Sequence, residues 1–244
     1  MKLWNGEVKS IALALGLVLV VRTVVAEPYT VPSPSMVPTL LVGDELIGSK
    51  FAYGYGKYSS PIGLMPDFAG RVFDRAPERG DVVVFRLPRD PSQTYVKRLI
   101  GLPGDRIQMR EGLLYINDKQ VPREPAGTIK EDVGEGYVRD VARFRETLPN
   151  GRTYLTNDFG PDGQLDNTDV YLVPAGHYFM MGDNRDNSED SRVPSEAGGV
   201  GYLPIENFVG KAQIVLVSWN KGASIFKPWT WVNLNFSRFF HSLN

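Results

Sequence analysis

Near its N-terminus the chain carries an apolar run, Ile11 to Val21, that continues past Arg22 and Thr23 to Val24, Val25 and Ala26. Such a run cannot be left in water. It divides the chain into a lipid-seeking segment and a body that must fold without it. From Ser10 to Ala26 there are 17 residues, the lower edge of the roughly 17–25 that cross a hydrocarbon core. Arg22 is tolerable near the outer end if its guanidinium reaches the interface. Lys2 and Lys9 flank a single Glu7 before the run, a bias that keeps residues 1–9 in the cytoplasm and sends everything after Ala26 across. The same residues also describe a removable leader: a basic start, an apolar centre, then Val24 and Ala26 at the spacing of a cleavage site. The segment alone does not choose between the two.

The rest of the chain reads as mainly β. With 244 residues there is room for one sizeable globular unit, or one with an inserted subdomain, beside an anchor. The 18 prolines and 25 glycines favour short elements and many turns. Prolines at 28, 32, 34 and 38 exclude a helix over residues 28–42 and predict an extended, rigid segment. Asp81–Arg86, Thr94–Ile100, Arg106–Arg110, Leu113–Asn117, Val170–Val173, Tyr178–Met181 and Ile214–Ser218 are short, β-branched or aromatic, and bounded by turn residues, as strands are. Residues 121–170 are polar, Gly-rich and weakly periodic, which suggests an inserted β-rich subdomain. The expected layout is a tail over 1–9, a membrane helix over 10–26, twisted antiparallel sheets over 27–120 and 171–244, and the insertion between them. The aromatic tail (Phe226, Trp229, Trp231, Phe236, Phe239, Phe240) fits either packing against the body or a membrane-interface surface, where Trp is favoured.

Charge and composition narrow the chemistry. A formal net charge of -1 argues against a nucleic-acid partner. The absence of cysteine removes disulfides, a thiolate nucleophile and cysteine-based zinc, but does not fix the compartment. The only histidines are His177 and His241, at a strand start and beside the C-terminus, so a serine nucleophile here needs another base. A lysine serves if it is neutral. Bringing its pKa from about 10.4 to 7 costs about 4.6 kcal/mol, which full burial can impose. Lys97 fits, because in TYVKRLI it shares a strand face with Tyr95 and Leu99 while Arg98 points away. Ser35, between prolines in PSPSM, is placed to show its hydroxyl and N–H. Ser33, two positions earlier, lies on the same side and offers a second donor to an oxyanion. Each residue alone also fits a plainer role, a solvated strand lysine or a proline-rich linker. Asp158-Phe159-Gly160 lacks the loops that accompany a kinase triplet. The run from Asp186 lacks the glycine and glutamate of a calcium loop.

The joint pattern decides. PSPSMVPTLLVGD, ERGDVVVF, YVKRLIGLPGD and MGDNRDNSEDSR, in this order and spacing, resemble the motif boxes of bacterial type I signal peptidases. The resemblance implies a Ser/Lys endopeptidase in which Ser35 is the nucleophile and Lys97 the base. It makes Ser33 the side-chain oxyanion donor and Ser188 the serine that orients the lysine. Asp190 with Arg192, and Asp183 with Arg98, become structural ion pairs, and Val31, Met36, Leu40, Tyr95 and Val96 line shallow pockets for small side chains. Pro34 stands where that family usually has Gly, which bears on pocket shape and not on the Ser35 N–H. The resemblance also favours a retained anchor, since Ser35 lies nine positions after Ala26 and is held near the membrane. It implies exported preproteins and membrane lipid as partners, a monomer in the bacterial inner membrane with its body on the periplasmic side, and no cofactor or metal. A self-cleaving Ser/Lys repressor would need a helix-turn-helix in place of the anchor. A tethered β-domain that binds extended peptides without cutting them is the non-enzymatic alternative.

Overall fold

The structure, a computed structural model, describes residues 2–60, 70–132, 138–161, 163–220, 223 and 228–243. Lys2–Val20 form an α-helix, α1, prolonged by a wider turn over Val21–Val25. Gly6–Val25 has a mean hydropathy of 2.1 and no buried residue. With no proline in the run, the helical hydrogen bonding that lipid demands is unbroken between its ends. The helix starts earlier than the apolar run itself. Ala26 does not belong to it, because it pairs with Ser49 and opens the first strand, and Pro28 could not continue a helix.

The strands follow in chain order: β1 (Ala26–Thr30), β2 (Asp44–Ser49), β3 (Val82–Leu87), β4 (Asp90–Gly101), β5 (Arg106–Arg110), β6 (Leu113–Ile116), β7 (Lys119–Gln120), β8 (Arg123–Asp132), β9 (Val138–Thr147), β10 (Thr153–Asp158), β11 (Tyr171–Leu172), β12 (His177–Met181), β13 (Leu203–Pro204), β14 (Phe208–Ser218) and β15 (His241–Ser242). They build three antiparallel sheets. The largest runs β1-β2-β14-β3-β4-β12-β13, with β15 paired to β14, and the others run β10-β9-β8 and β11-β5-β6-β7. The seven expected strands are all present. Residues 28–42 depart from a purely extended path, because Pro34–Met36 close one 3-10 turn, whose φ proline already holds.

The period of two sorts side chains to the two faces of the large sheet. Val82 and Val84 pack with Val31, Met36, Leu40 and Leu46 on one face, while Val83, Phe85 and Leu99 pack with Tyr53, Met180 and Phe208 on the other. A third cluster joins Ile100, Ile107, Ile116, Phe179 and Met181 to Leu148 and Tyr154 of the inserted region. The insertion therefore shares a core with the body. Residues 106–120, expected as part of the main core, form the small sheet with β11.

Candidate active site

Two segments far apart in sequence meet where the 3-10 turn crosses β4. Met36 and Leu40 are buried beneath the turn, and Val37 N–H donates to Pro34 O at 3.0 Å, so the turn is fixed from below. This leaves Ser35 7% exposed with its hydroxyl toward β4. Lys97 lies opposite Val83 of β3 and is 3% exposed. Its Nζ is 2.6 Å from Ser35 Oγ. Ser33 Oγ is 3.2 Å from the same oxygen.

Burial is the main influence on Lys97 and lowers its pKa to about 8, against the pull of Asp190 and Glu189. A charged ammonium here would have given up water without a carboxylate in contact, so the neutral amine becomes accessible near physiological pH. Asp190 is the mirror case. Burial pushes its carboxyl up, but Arg192, the Gly182 N–H and Lys97 outweigh it and hold it below the usual value. Arg192 meets it at 2.9 Å, both side chains fully buried. Arg98 binds Asp183 through Nε at 2.8 Å and Nη2 at 2.7 Å, while Thr39 donates to the same carboxylate. Alternation along β4 thus sends Lys97 to the serine and Arg98 to this pair.

Ser188 is buried beside these groups, but its hydroxyl makes no hydrogen bond in the structure; the expected bond to Lys97 is not formed. Gly182 explains how Ser188 and Ser35 come so close. A Cβ at Gly182 would lie 2.5 Å from Ser35 O and strike the Ser188 hydroxyl.

A cleft of about 580 Å³ opens over this group, within the range of small-molecule and peptide sites. Ser33, Ser35, Lys97, Ser188, Val31, Met36, Tyr95 and Val96 line it. Leu40 does not; it lies in the cluster underneath. Sequence reasoning missed Tyr29, Thr30, Gln164, Leu165, Asp186 and Glu189 on its walls. The last two sit inside the MGDNRDNSEDSR motif, but nothing in the insertion marked Gln164 or Leu165. Neither histidine lines the cleft. His177 contacts Ala175 O at 3.0 Å beside a separate cavity of about 370 Å³, and His241 is exposed in β15.

Comparison with known proteins gives the family. A family model described as signal peptidase, peptidase S26, matches residues 4–219. The signal peptidase I of Rickettsia canadensis (strain McKiel) is 43% identical over 97% of this chain and 92% of its own length. That of Rickettsia prowazekii (strain Madrid E) is 45% identical over 97% and 93%. A solved signal peptidase I from Enterococcus faecalis V583, 27% identical, covers 56% of this chain and 97% of its own at a TM-score of 0.31. The class is that of a serine peptidase with one N-terminal apolar helix. The chain belongs to the signal peptidase I family, peptidase S26.

Proposed function

We propose that this protein is a membrane-anchored endopeptidase that removes signal peptides from exported preproteins, cleaving after a small residue with Ser35 as nucleophile and neutral Lys97 as base. The observation that carries the reading is the 2.6 Å contact between Lys97 Nζ and Ser35 Oγ, made by a lysine whose pKa burial brings to about 8. Lys97 takes the Oγ proton as Oγ bonds to the scissile carbonyl carbon. The oxyanion accepts from Ser35 N–H and the Ser33 hydroxyl. The C–N bond then breaks as Lys97 returns the proton to the leaving amine, and neutral Lys97 next takes a proton from water as it attacks the ester, passing it to Ser35 Oγ as the Oγ–C bond breaks. Asp190–Arg192 and Asp183–Arg98 hold the surrounding loop, in which Ser188 is buried.

The substrate joins as a strand. β12 pairs with β4 only from Arg98 to Gly101, so Thr94–Lys97 presents a free edge to the cleft, the kind of edge extended peptides bind. Val31, Met36, Tyr95 and Val96 close in beside Ser35 and leave room for Ala, Gly or Ser before the cut. The helix anchors the enzyme in the inner membrane, with the body on the outer side. Cleavage of a signal-peptide substrate by the full-length protein tests the reading: Ser35→Ala and Lys97→Ala should each lose more than about 90% of kcat with unchanged folding. A variant above that level removes the dyad, and equal cleavage after Ala and Phe removes the pocket.

A further inference from the structure

The inserted sheet reaches the nucleophile through a polar tether that the mechanism above does not use. Glu131, near the end of β8, is 8% exposed, and Asn157 and Asn184 are fully buried. Its carboxylate accepts from Asn184 Nδ2 at 2.6 Å and from Asn157 Nδ2 at 2.9 Å. Asn184 Nδ2 also donates to Pro34 O at 3.2 Å, and Asn184 N–H donates to Ser35 O at 3.1 Å. The orientation of the Asn184 amide follows from chemistry, since both atoms it faces are acceptors and only the NH2 end can serve them. Asn157 closes the arrangement from β10: its N–H donates to Asp183 O and its carbonyl accepts from Arg185 N–H, each at 2.9 Å. Asn184 is thereby clamped on both sides.

The clamp holds two successive peptide units, Pro34–Ser35 through Asn184 Nδ2 and Ser35–Met36 through Asn184 N–H, and the first of them, which Val37 N–H also binds at 3.0 Å, matters most. Pro34 C=O and Ser35 N–H are the two ends of a single planar group, so fixing the direction of the carbonyl fixes that of the N–H. As the second residue of the 3-10 turn, Ser35 has no partner for its N–H within the turn. This is the backbone donor aimed at the oxyanion. We propose that Glu131 is a positioning residue for the reaction: through Asn184 it sets the Pro34–Ser35 peptide plane, and with it the oxyanion donor, so the inserted sheet is part of the catalytic apparatus. The inference rests on Ser35 being the nucleophile.

It separates kcat from KM. The substrate-binding edge at Thr94–Lys97 does not touch Glu131, so KM should hold, whereas a misdirected donor is felt only as the oxyanion forms. Complete loss of one such donor costs about 100- to 1,000-fold in kcat. A loosened one in Glu131→Ala should cost about tenfold or more, with KM within about twofold. Glu131→Gln keeps the shape but turns one acceptor into an NH2 facing an NH2 donor, so it should lose about threefold. Because Glu131 acts through Asn184, neither change should lower kcat further in an Asn184→Ala background.

The experiment measures kcat and KM of the full-length enzyme on one signal-peptide substrate for Glu131→Ala, Glu131→Gln, Asn184→Ala and the doubles, with melting temperatures as a folding check. Ser35→Ala is run beside them. If Glu131→Ala does not fold, Glu131→Gln and its double carry the test. A wild-type kcat in Glu131→Gln, a change confined to KM, or losses that multiply in the doubles overturns the proposal. Activity surviving in Ser35→Ala instead removes the nucleophile assignment beneath it.

Discussion

At the scale of the residue, Lys97 is the group whose chemistry and stability pull against each other. Its folded pKa of about 8 lies below the ordinary 10.5. Below pH 8 it is charged in both folded and unfolded chains, and the folded state carries the full cost of burying the charge. Between 8 and 10.5 the unfolded chain binds more protons, so stability rises with pH, and above 10.5 the cost is gone. That cost is about 3 kcal/mol. Lys97→Met should therefore be inactive yet melt about 5 °C or more higher at pH 6, with the gain shrinking toward pH 10. Equal melting at pH 6 would show that no such cost is carried. The same titration governs activity. Wild-type kcat/KM should climb about tenfold per pH unit below 8 and level off above it, whereas a profile flat from pH 6 to 10 would exclude Lys97 as the titrating base. Changing His177 and His241 together to Ala should leave the profile intact, since neither reaches the cleft. Ser35 and Lys97 were legible through the order and spacing of four motifs together, not through either segment alone. Glu131 was not, because nothing in a charged strand says that it will meet Asn184, 53 residues on.

At the scale of the element, legibility followed apolar content. Within the large sheet β3, β4, β12 and β14 announced themselves through runs such as DVVVF, whose alternate residues are buried on both faces, whereas β1, β2, β13 and β15 did not. β8 to β10 gave no such signal. Among their described residues Val141 and Tyr154 are the buried apolar side chains, and their seating on the body is largely polar. Arg185 grips Glu146 with Nη1 at 2.8 Å and Nη2 at 2.5 Å, and Arg123 Nη1 donates to Gly112 O at 3.0 Å. Polar, weakly periodic sequence gives no sign that Glu131, Glu146 and Asp158 are buried, and only the fold shows it. The loop after β12 is the element on which the site depends, because it passes between Ser35 and Ser188 at Gly182. Gly182→Ala should keep the sheet but push the Ser35 carbonyl and the Ser188 hydroxyl aside. A misplacement of about 1 Å at the reacting atom is worth about 100-fold, so kcat/KM should fall by tenfold or more. Wild-type kinetics in that variant would mean the loop moves away freely and the close approach is not needed.

At the scale of the whole molecule, the anchor and the body are joined without slack. Helical rise over Gly6–Val25 spans about 30 Å, the thickness of a hydrocarbon core, and β1 begins at the next residue. The junction is tied from both sides. Arg22 meets Glu27 at 2.6 Å, buried Lys50 meets the same carboxylate at 2.7 Å, and Tyr55 donates to Val24 O at 2.8 Å. Nine positions of chain reach about 30 Å at most, and the pairing of β1 with β2 shortens the path further, so Ser35 stays within that distance of the end of the helix. On the proposed reading, a cleavage site leaving the membrane needs the nucleophile near that end of the helix, whereas a soluble peptide does not. Inserting about six Gly/Ser residues between Val25 and Ala26 should release the tether while leaving the body folded. Cleavage of a soluble signal peptide should stay within about twofold, and cleavage of a preprotein embedded in vesicles should drop about tenfold, because the site must now be found by a diffusing domain. Equal loss on both substrates would place the damage in the body, and equal retention would show that the seating of the domain on its anchor does not matter to catalysis.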